Sequence, residues 1–310
     1  MQISVLISTY NSQNYIKLAI ESVLSQTFTD FELIIINDGS SDNTEEIIHS
    51  FNDPRIIYLK QSNLGVSKSL NKGLKIARGK YIAKLDADDI CYPFRLEKQY
   101  DFMENNPSYV VCGSYTEVID ENDEYIYTFK NVPIENEEIQ KQFSTKNCII
   151  HSSSFYRRDI ALEIGGYYEP IKQYFEDFMF FFNLIKKGKA FNFSQPLIKY
   201  RITPGSISSR TKNLKYDKLV LDVIHRGFIL EEEKLFLFNY RTKMSKKNIQ
   251  LSNHYLALSR LILLHQKNFS KAFLYYSKSL SINLFNHNNI LTIFHMLYYY
   301  FLNKRQDDNT

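Results

Sequence analysis

Apolar and polar positions alternate along the first 114 residues with two different periodicities. Short, nearly all-apolar runs such as 31–37 are typical of strands that are covered on both faces of a sheet. Between these runs, segments such as 16–25 carry apolar residues at helical spacing, which predicts amphipathic helices. Repeated strand–helix units predict an α/β fold with a doubly wound, mostly parallel sheet. The predicted strands are 4–8, 31–37, 56–59, 80–85 and 109–114, and the predicted helices are 16–25, 41–50, 66–77 and 94–105.

After residue 114 the pattern becomes less regular. Segments 117–119 and 125–129 flank a run of polar residues, which predicts a hairpin. Further strands are predicted near 153–156 and 197–200, and an aromatic-rich helix is predicted over 175–187. The strand–helix domain therefore extends well beyond its regular first part.

The last hundred residues predict a different architecture. From about residue 213 to residue 303 the pattern is helical, and residues 269–283 resemble the second helix of a tetratricopeptide repeat. Only one copy is recognisable, and such repeats need stacked neighbours for stability. We therefore predict an α/β domain over residues 1–210, followed by an all-helical region over 211–310 that packs on it as a helical hairpin.

The formal net charge is +4, and the surplus of Lys and Arg lies in residues 211–310. This surplus, with the aromatic segment 290–302, favours contact with an anionic membrane surface over contact with nucleic acid. The alternative is an ordinary solvated helix face, and the segment is too short to cross a membrane. No leader peptide is recognisable and the three cysteines are scattered. We therefore expect a cytoplasmic protein, with peripheral contact to the inner membrane face as a hypothesis.

The candidate chemistry begins with Asp86, Asp88 and Asp89, which follow the predicted strand 80–85. Ligands bind at the carboxyl ends of strands in open α/β sheets, and clustered carboxylates need an offset to their repulsion. Their hard oxygens suit Mg²⁺ or Mn²⁺, and Mg²⁺ usually shares its coordination with substrate phosphates. The competing interpretation is a polar loop with an Asp N-cap for the next helix. An EF-hand is disfavoured because Cys91 stands where its turn glycine is required.

Other polar segments accompany this acidic one along the chain. Because the carboxyl ends of parallel strands lie on one edge of a sheet, we expect Asp38, Asp86 and Asp88 around one cleft. The segments are Thr9-Tyr10-Asn11, Asn37-Asp38-Gly39-Ser40, the stretch from Asn63 to Gly73, and Glu176-Asp177.

In this order, the motifs resemble those of the family 2 glycosyltransferases, which are inverting enzymes of the GT-A fold that use nucleotide sugars. The resemblance covers about residues 1–210. It implies a Rossmann-like, mostly parallel sheet flanked by helices, here with a C-terminal all-helical region. It also implies a UDP-sugar donor and a glycan or lipid-linked acceptor.

The resemblance implies particular roles at the donor site. Asp38 would accept a hydrogen bond from the uracil imide, Asp86 would bind the ribose and support the metal, and Asp88 would be the direct metal ligand. The metal would be Mn²⁺ or Mg²⁺, bridging the two phosphates. The remaining donor-binding residues would be Thr9, Tyr10 and Asn11 at the base and ribose, Asn63 and Lys68 near the base and diphosphate, and Ala87 between the two aspartates.

The resemblance also implies a catalytic base. Glu176-Asp177 matches the acidic pair of the family, in which the Asp takes the proton of the acceptor hydroxyl. The alternative is an acid at a helix N-terminus that is stabilised by the helix dipole. His151 lies in a segment that resembles the strand near the acceptor, and it could equally be a structural histidine.

The chain departs from the family pattern in two places. Thr203 stands where a late loop often has a His, which puts a third protein metal ligand in doubt and leaves Arg201, Thr203 or Ser206 to bind phosphate or acceptor. The chain has no Trp, so it lacks the Gln-x-x-Arg-Trp motif of processive members, and we expect transfer of one sugar per encounter. Family analogy then suggests bacterial surface-polysaccharide assembly.

Other functions compete with this interpretation. An Asp-x-Asp segment after a strand also occurs in phosphatases of the haloacid dehalogenase type, although there it follows the first strand. A non-catalytic nucleotide-sugar-binding protein or scaffold is a further alternative. A dinucleotide-dependent oxidoreductase is disfavoured because no Gly-x-Gly-x-x-Gly follows the first strand. The oligomeric state is open.

Overall fold

The computed structural model describes residues 1–170, 175–203, 214–244 and 247–283, together with Thr292 and Met296. Its first four long strands form a parallel sheet in the order β3-β2-β1-β4, as predicted. The register aligns Thr9 with Asn37, so the ends of the two central strands meet. These strands are β1 (Ile3–Thr9), β2 (Phe31–Asn37), β3 (Ile56–Lys60) and β4 (Tyr81–Lys84).

Helices cover both faces of this parallel part, which confirms the doubly wound arrangement. On one face, apolar residues of helix α1 form a core with Val5 and Ile7 of β1. On the other face, Leu6 of β1 meets Gly73, where an added Cβ would lie 2.1 Å from the Leu6 Cδ1 atom. A glycine is therefore required at position 73, where helix α3 (Val66–Ile76) approaches the sheet. The helices are α1 (Ile16–Leu24), α2 (Thr44–His49), α3 (Val66–Ile76) and α4 (Arg95–Asn105).

Beyond β4 the sheet changes direction. Strand β8 (Phe155–Arg157) pairs antiparallel with both β4 and β6 (Tyr109–Ile119). Strand β9 (Lys189–Arg201) follows β6 in the sheet, the short β5 (Ile90–Cys91) pairs antiparallel with β9, and β7 (Tyr125–Phe129) pairs with β6. The predicted strands 109–114 and 117–119 are therefore one strand, because its backbone pairing continues past the polar residues between them.

Short elements connect these strands. The predicted helix 175–187 is α7 (Glu176–Leu184), continued by a 3₁₀ turn over Ile185–Lys187. A second 3₁₀ turn spans His151–Ser153 and leads into β8. Helices α5 (Asn136–Gln142) and α6 (Arg158–Glu163) are absent from the sequence prediction. They have 7 and 6 residues, too few to establish a helical periodicity.

The C-terminal region contains the predicted helices in its described part: α8 (Leu214–Arg226), α9 (Glu231–Met244), α10 (Lys247–Gln266) and α11 (Phe269–Ile282). Helices α10 and α11 pack together, with the buried hydroxyls of Ser252 and Ser279 2.8 Å apart. Within the described residues, the helix with tetratricopeptide-like spacing therefore packs against α10, and its predicted packing on the α/β domain stays a prediction. None of the helices among the described residues is both long and apolar enough to cross a membrane.

Several predictions about this region stay predictions. Segment 290–302 lies outside the described residues except for Thr292 and Met296. The chain divides into two compact units, and β6, β9 and α8 each contribute residues to both. The first unit comprises Met1–Glu117, Thr128–Tyr200 and Lys218–Ile229, and the second draws its described residues from 118–127, 201–217 and 230–310. The predicted boundary near residue 210 and the membrane contact are not tested by this division.

Candidate functional site

The loops that follow β1 and β2 are bound to each other, which brings the first predicted donor-site residues together. The Asp38 amide donates to the Thr9 carbonyl at 2.8 Å, and the Asn11 side-chain oxygen accepts from the Ser41 amide at 2.9 Å. The Thr9 side chain is buried, and its hydroxyl has no hydrogen-bond partner among the described residues. Tyr10 is 51% exposed beside it. This edge of the sheet thus has a buried hydroxyl without a partner among the described residues and an exposed ring.

The carboxylate of Asp38 organises the next loop. Its Oδ1 atom accepts from the Leu64 amide at 2.9 Å and from the Gln61 side chain at 2.8 Å, and its Oδ2 atom accepts from the Gly65 amide at 2.9 Å. Gly39 has φ +79°, and a Cβ there would lie 2.9 Å from the Asn63 amide nitrogen. The sequence predicts a base contact for Asp38 and does not reveal this structural role.

We expect Asp38→Ala to destabilise the protein by about 2 kcal/mol, because the buried amide of Gly65 would lose its acceptor. Loss of the same acceptor should also make the loop over residues 61–65 more accessible to protease. Thermal unfolding and limited proteolysis measure the two effects. Asp30→Ala, which removes a carboxylate that is largely exposed, is the control. Unchanged stability of the Asp38 variant would contradict the structural role.

Asn63 and Lys68 lie on this organised loop and on the first turn of α3. Both side chains are exposed, whereas Ser67 and Ser69 on the same helix are buried. Gly65 precedes the helix with φ +94°, a conformation that favours glycine. The structure therefore places both residues at the surface, on the loop that Asp38 organises and on the helix that follows it, and their predicted donor contacts stay predictions.

The end of β4 carries a buried ion pair that the sequence prediction overlooks. The Lys84 ammonium is fully buried and hydrogen-bonds the Asp86 carboxylate, which is 36% exposed. The Asp86 amide donates to the Ser152 hydroxyl oxygen at 2.9 Å. Burial raises the pKa of Asp86, but the charge and hydrogen bond of Lys84 and the charge of Arg95 act against burial, and the net pKa lies below its ordinary value. Asp86 is therefore ionised at neutral pH.

The Asp86-Ala87-Asp88 segment has the donor atoms that a divalent cation requires. Asp88 is half-buried, and Ala87 is 7% exposed between the two acids. No group of three or more His, Cys, Asp or Glu side chains that could hold a metal occurs in the described part of the chain. Two carboxylates fit Mg²⁺ or Mn²⁺ when water and phosphate oxygens complete the coordination, which is the common arrangement for Mg²⁺.

His151 faces the same carboxylate but is not a cation at neutral pH. Burial and, less strongly, the Lys84 ammonium lower its pKa, the Asp86 charge raises it, and the net pKa is about 3. The His151 Nε2 atom lies 3.0 Å from the Tyr167 hydroxyl. Tyr167 is held in turn by Asn71, whose side-chain oxygen accepts the Tyr167 amide at 2.7 Å. A neutral, hydrogen-bonded imidazole can orient a ligand but supplies no positive charge.

Asp177 is the second residue of α7 and is half-buried. Its Oδ2 atom accepts from the Asn147 side-chain amide at 2.9 Å, and its Oδ1 atom accepts from the Phe178 amide at 2.7 Å. Burial and the charge of Asp86 raise the pKa of Asp177, and the Phe178 amide and Lys84 lower it. The net pKa is about 6. The two carboxylates therefore lie within electrostatic reach. A carboxylate with a pKa near 6 is a stronger base than an ordinary Asp and is still ionised at pH 7.

The remaining predicted residues have different surroundings. Glu176 is 6% exposed beside Asp177. Arg201 is fully buried at the end of β9, where its guanidinium donates to the Asp120 carbonyl at 3.0 Å and to the Asp123 carboxylate at 2.5 Å. This pairing gives Arg201 a structural role within the second unit. Thr203 is half-buried, and Ser206 lies outside the described residues.

The strand order β3-β2-β1-β4 and the antiparallel strand inserted beyond β4 fit the GT-A fold that the sequence predicts, which is a fold of glycosyltransferases. The sequence profile described as glycosyl transferase family 2 matches residues 4–165. Because this match covers half of the chain, the protein belongs to that family.

Relatives with similar sequences agree with this assignment. An uncharacterized glycosyltransferase of Methanocaldococcus jannaschii is 39% identical over 206 residues, which cover 64% of this chain and 70% of the relative. The amylovoran biosynthesis glycosyltransferase AmsE of Erwinia amylovora is 30% identical over 213 residues, which cover 67% of this chain and 79% of the relative.

A solved structure has a similar fold. S. aureus TarS 1–349, crystallised in complex with UDP-GlcNAc, superposes with a TM-score of 0.58 at 19% identity and covers 91% of this chain and 89% of TarS 1–349. At this identity the similarity shows the fold alone. It extends beyond the family profile into the C-terminal helices.

Proposed function

We propose that this chain transfers a single sugar from a UDP-sugar to a glycan or lipid-linked acceptor, with inversion, in bacterial polysaccharide or glycoconjugate biosynthesis. The observation that carries the proposal is Asp177, a half-buried carboxylate in the first turn of α7 whose two oxygens are held by Asn147 and by the Phe178 amide. Asp86 follows strand β4, and Asp177 lies in the first turn of α7. In this proposal the donor binds on the side of Asp86 and the acceptor on the side of Asp177.

The donor side is supported by Asp86, Asp88 and the loop that Asp38 organises. The UDP-GlcNAc complex of TarS, together with this arrangement, supports a UDP-sugar as the donor. Thr9 and Tyr10 would then contact the base and ribose. A bound Mg²⁺ or Mn²⁺ would supply positive charge that stabilises the departing diphosphate.

The acceptor side is supported by Asp177. Its carboxylate would take the proton of the acceptor hydroxyl as the hydroxyl oxygen attacks the anomeric carbon. The bond to the diphosphate breaks on the opposite face of the sugar, so the anomeric configuration inverts. Asp177 is suited to this role because it has one hydrogen bond on each oxygen and further lone pairs for the acceptor.

Calorimetric titration with a panel of UDP-sugars, in Mn²⁺, in Mg²⁺ and in EDTA, tests the donor assignment. We expect one UDP-sugar to bind more tightly than the others, and its affinity to fall when EDTA replaces the metal. This donor then allows a search for acceptors, with Asp177→Asn as the inactive control. If the folded protein binds no nucleotide or nucleotide sugar, the proposed function is wrong.

A further inference from the structure

Asn147 lies in the segment that joins α5 to the 3₁₀ turn at His151. This segment is tied to the sheet, because the buried side chain of Asn192 in β9 donates to the Cys148 carbonyl at 2.9 Å. At its other end, the Lys146 amide donates to the Gln142 carbonyl at 3.1 Å. The backbone that carries Asn147 is therefore held in place on both sides.

The orientation of the Asn147 side chain follows from its two hydrogen bonds. Its Oδ1 atom accepts from the Ile149 amide at 3.0 Å, and a backbone amide can only donate. The NH₂ group must therefore face away from Ile149, and it donates to the Asp177 Oδ2 atom at 2.9 Å. Both partners require the same orientation of the side-chain amide, and the flipped orientation would break both hydrogen bonds. Asn147 therefore presents a donor to the carboxylate.

We propose that Asn147 is a positioning residue for Asp177, holding one carboxylate oxygen so that the base faces the acceptor and stays ionised. The inference rests on the proposed function, since it assigns a partner to the proposed base. Asp177 begins a helix and has its second hydrogen bond from the adjacent Phe178 amide. Of these two hydrogen bonds, the one from Asn147 comes from a distant part of the chain, and it fixes the carboxylate relative to the sheet.

The charges around Asp177 explain why it needs this donor. Burial and the negative charge of Asp86 both disfavour its ionised form, and Lys84 favours it. Tyr167 and Glu176 also lie within electrostatic reach. A hydrogen bond to the charged form lowers the pKa of a carboxyl group, so Asn147 opposes the effects of burial and of Asp86.

Two substitutions of Asn147 distinguish a role in positioning the base from a role in supporting the loop. Asn147→Asp keeps an oxygen for the Ile149 amide but replaces the donor by a second carboxylate. Asn147→Ala removes both hydrogen bonds. A matched control is Asn136→Asp, since the Asn136 side-chain oxygen also accepts one backbone amide, that of Ala190, at 3.0 Å.

The direct measurement is the pKa of Asp177 by carbon NMR on Asp-labelled protein in EDTA, with Asp177→Asn to assign the signal. We expect Asn147→Ala to raise the pKa of Asp177 by about one to two pH units. Transfer should then fall about tenfold at pH 6 and less than about twofold at pH 8.5, because the base is ionised again.

Asn147→Asp should raise the pKa of Asp177 further, since two adjacent carboxylates share a proton. The affinity for the UDP-sugar should not change.

If Asn147 only supported the loop, Asn147→Ala would be more harmful than Asn147→Asp, which is the opposite order. Asn147→Asp would then behave like Asn136→Asp and the wild type, whereas Asn147→Ala would lose activity equally at all pH values. An unchanged pKa of Asp177 in both Asn147 variants would also overturn the inference. The NMR titration needs no substrate. A wild type that transfers no sugar would therefore contradict the proposed function, whereas the titration judges the Asn147–Asp177 pair by itself.

Discussion

Replacing Asp177 by Asn is expected to lower the rate of sugar transfer by a factor of about 10² to 10⁴. Asn is nearly the same shape as Asp but cannot accept the proton of the acceptor hydroxyl. The affinity for the UDP-sugar should stay within about twofold, because Asp177 serves the acceptor and not the donor. Initial rates and calorimetric binding measure the two effects. Transfer near the wild-type rate would show that Asp177 is not the base.

The same substitution should change stability in a direction that the pKa determines. The pKa of Asp177 is raised to about 6 by burial and by Asp86, so between pH 4 and 6 the folded state binds more protons than the unfolded state. The free energy of unfolding therefore falls as the pH rises through this range, and the ionised Asp177 costs stability above it. We expect the unfolding temperature of Asp177→Asn to rise relative to that of the wild type between pH 4 and pH 7.5. The amide loses one of the two accepted hydrogen bonds at every pH, so the change with pH is the quantity to measure.

Asp53 gives a control of opposite sign for this stability measurement. Hydrogen bonds from Arg55 lower the pKa of Asp53, so its ionised form stabilises the folded state at neutral pH. Asp53→Asn should therefore lower the unfolding temperature at pH 7.5. If the difference between Asp177→Asn and the wild type did not change between pH 4 and pH 7.5, the ionised Asp177 would not be destabilised by its surroundings, and its assignment as the base would be weakened.

The second large effect concerns the metal and the donor. Asp88→Asn should weaken UDP-sugar binding in Mn²⁺ by about 10-fold to 100-fold, because removing one carboxylate leaves a single protein ligand and the phosphates. In EDTA the variant and the wild type should bind equally. Asp86→Asn should have a similar effect, with an added change in stability, since it leaves the buried Lys84 ammonium without its carboxylate partner.

An exposed acid provides the control for this comparison. Asp101→Asn removes a charge from the exposed side of α4 and should leave binding unchanged in both conditions. If EDTA has no effect on the wild type, the metal assignment fails while the donor assignment stands. If Asp88→Asn binds normally in Mn²⁺, Asp88 is not the direct ligand.

The sequence alone determined the parallel part of the fold. In Ile16, Ala19, Ile20 and Val23 the apolar residues recur at helical spacing, and all four are buried in the structure. The run 31–37 matches β2 residue for residue. Such patterns are local, because a helix face or a strand covered on both sides must be apolar wherever it packs. The order of the strand ends also placed Asp38 and Asp86 on one sheet edge before any contact was known.

Only the tertiary structure decided the contacts between distant segments. Strand β8 has three residues, and nothing local shows that it inserts antiparallel between β4 and β6. Lys84 lies in an apolar run two residues before Asp86, and this spacing is a sequence signal for a pair on one face of a strand. The sequence around Asn147 contains no comparable signal. Its partner Asp177 lies 30 residues away, and burial of that carboxylate, which sets its pKa, depends on the packing of elements that meet only in the folded chain.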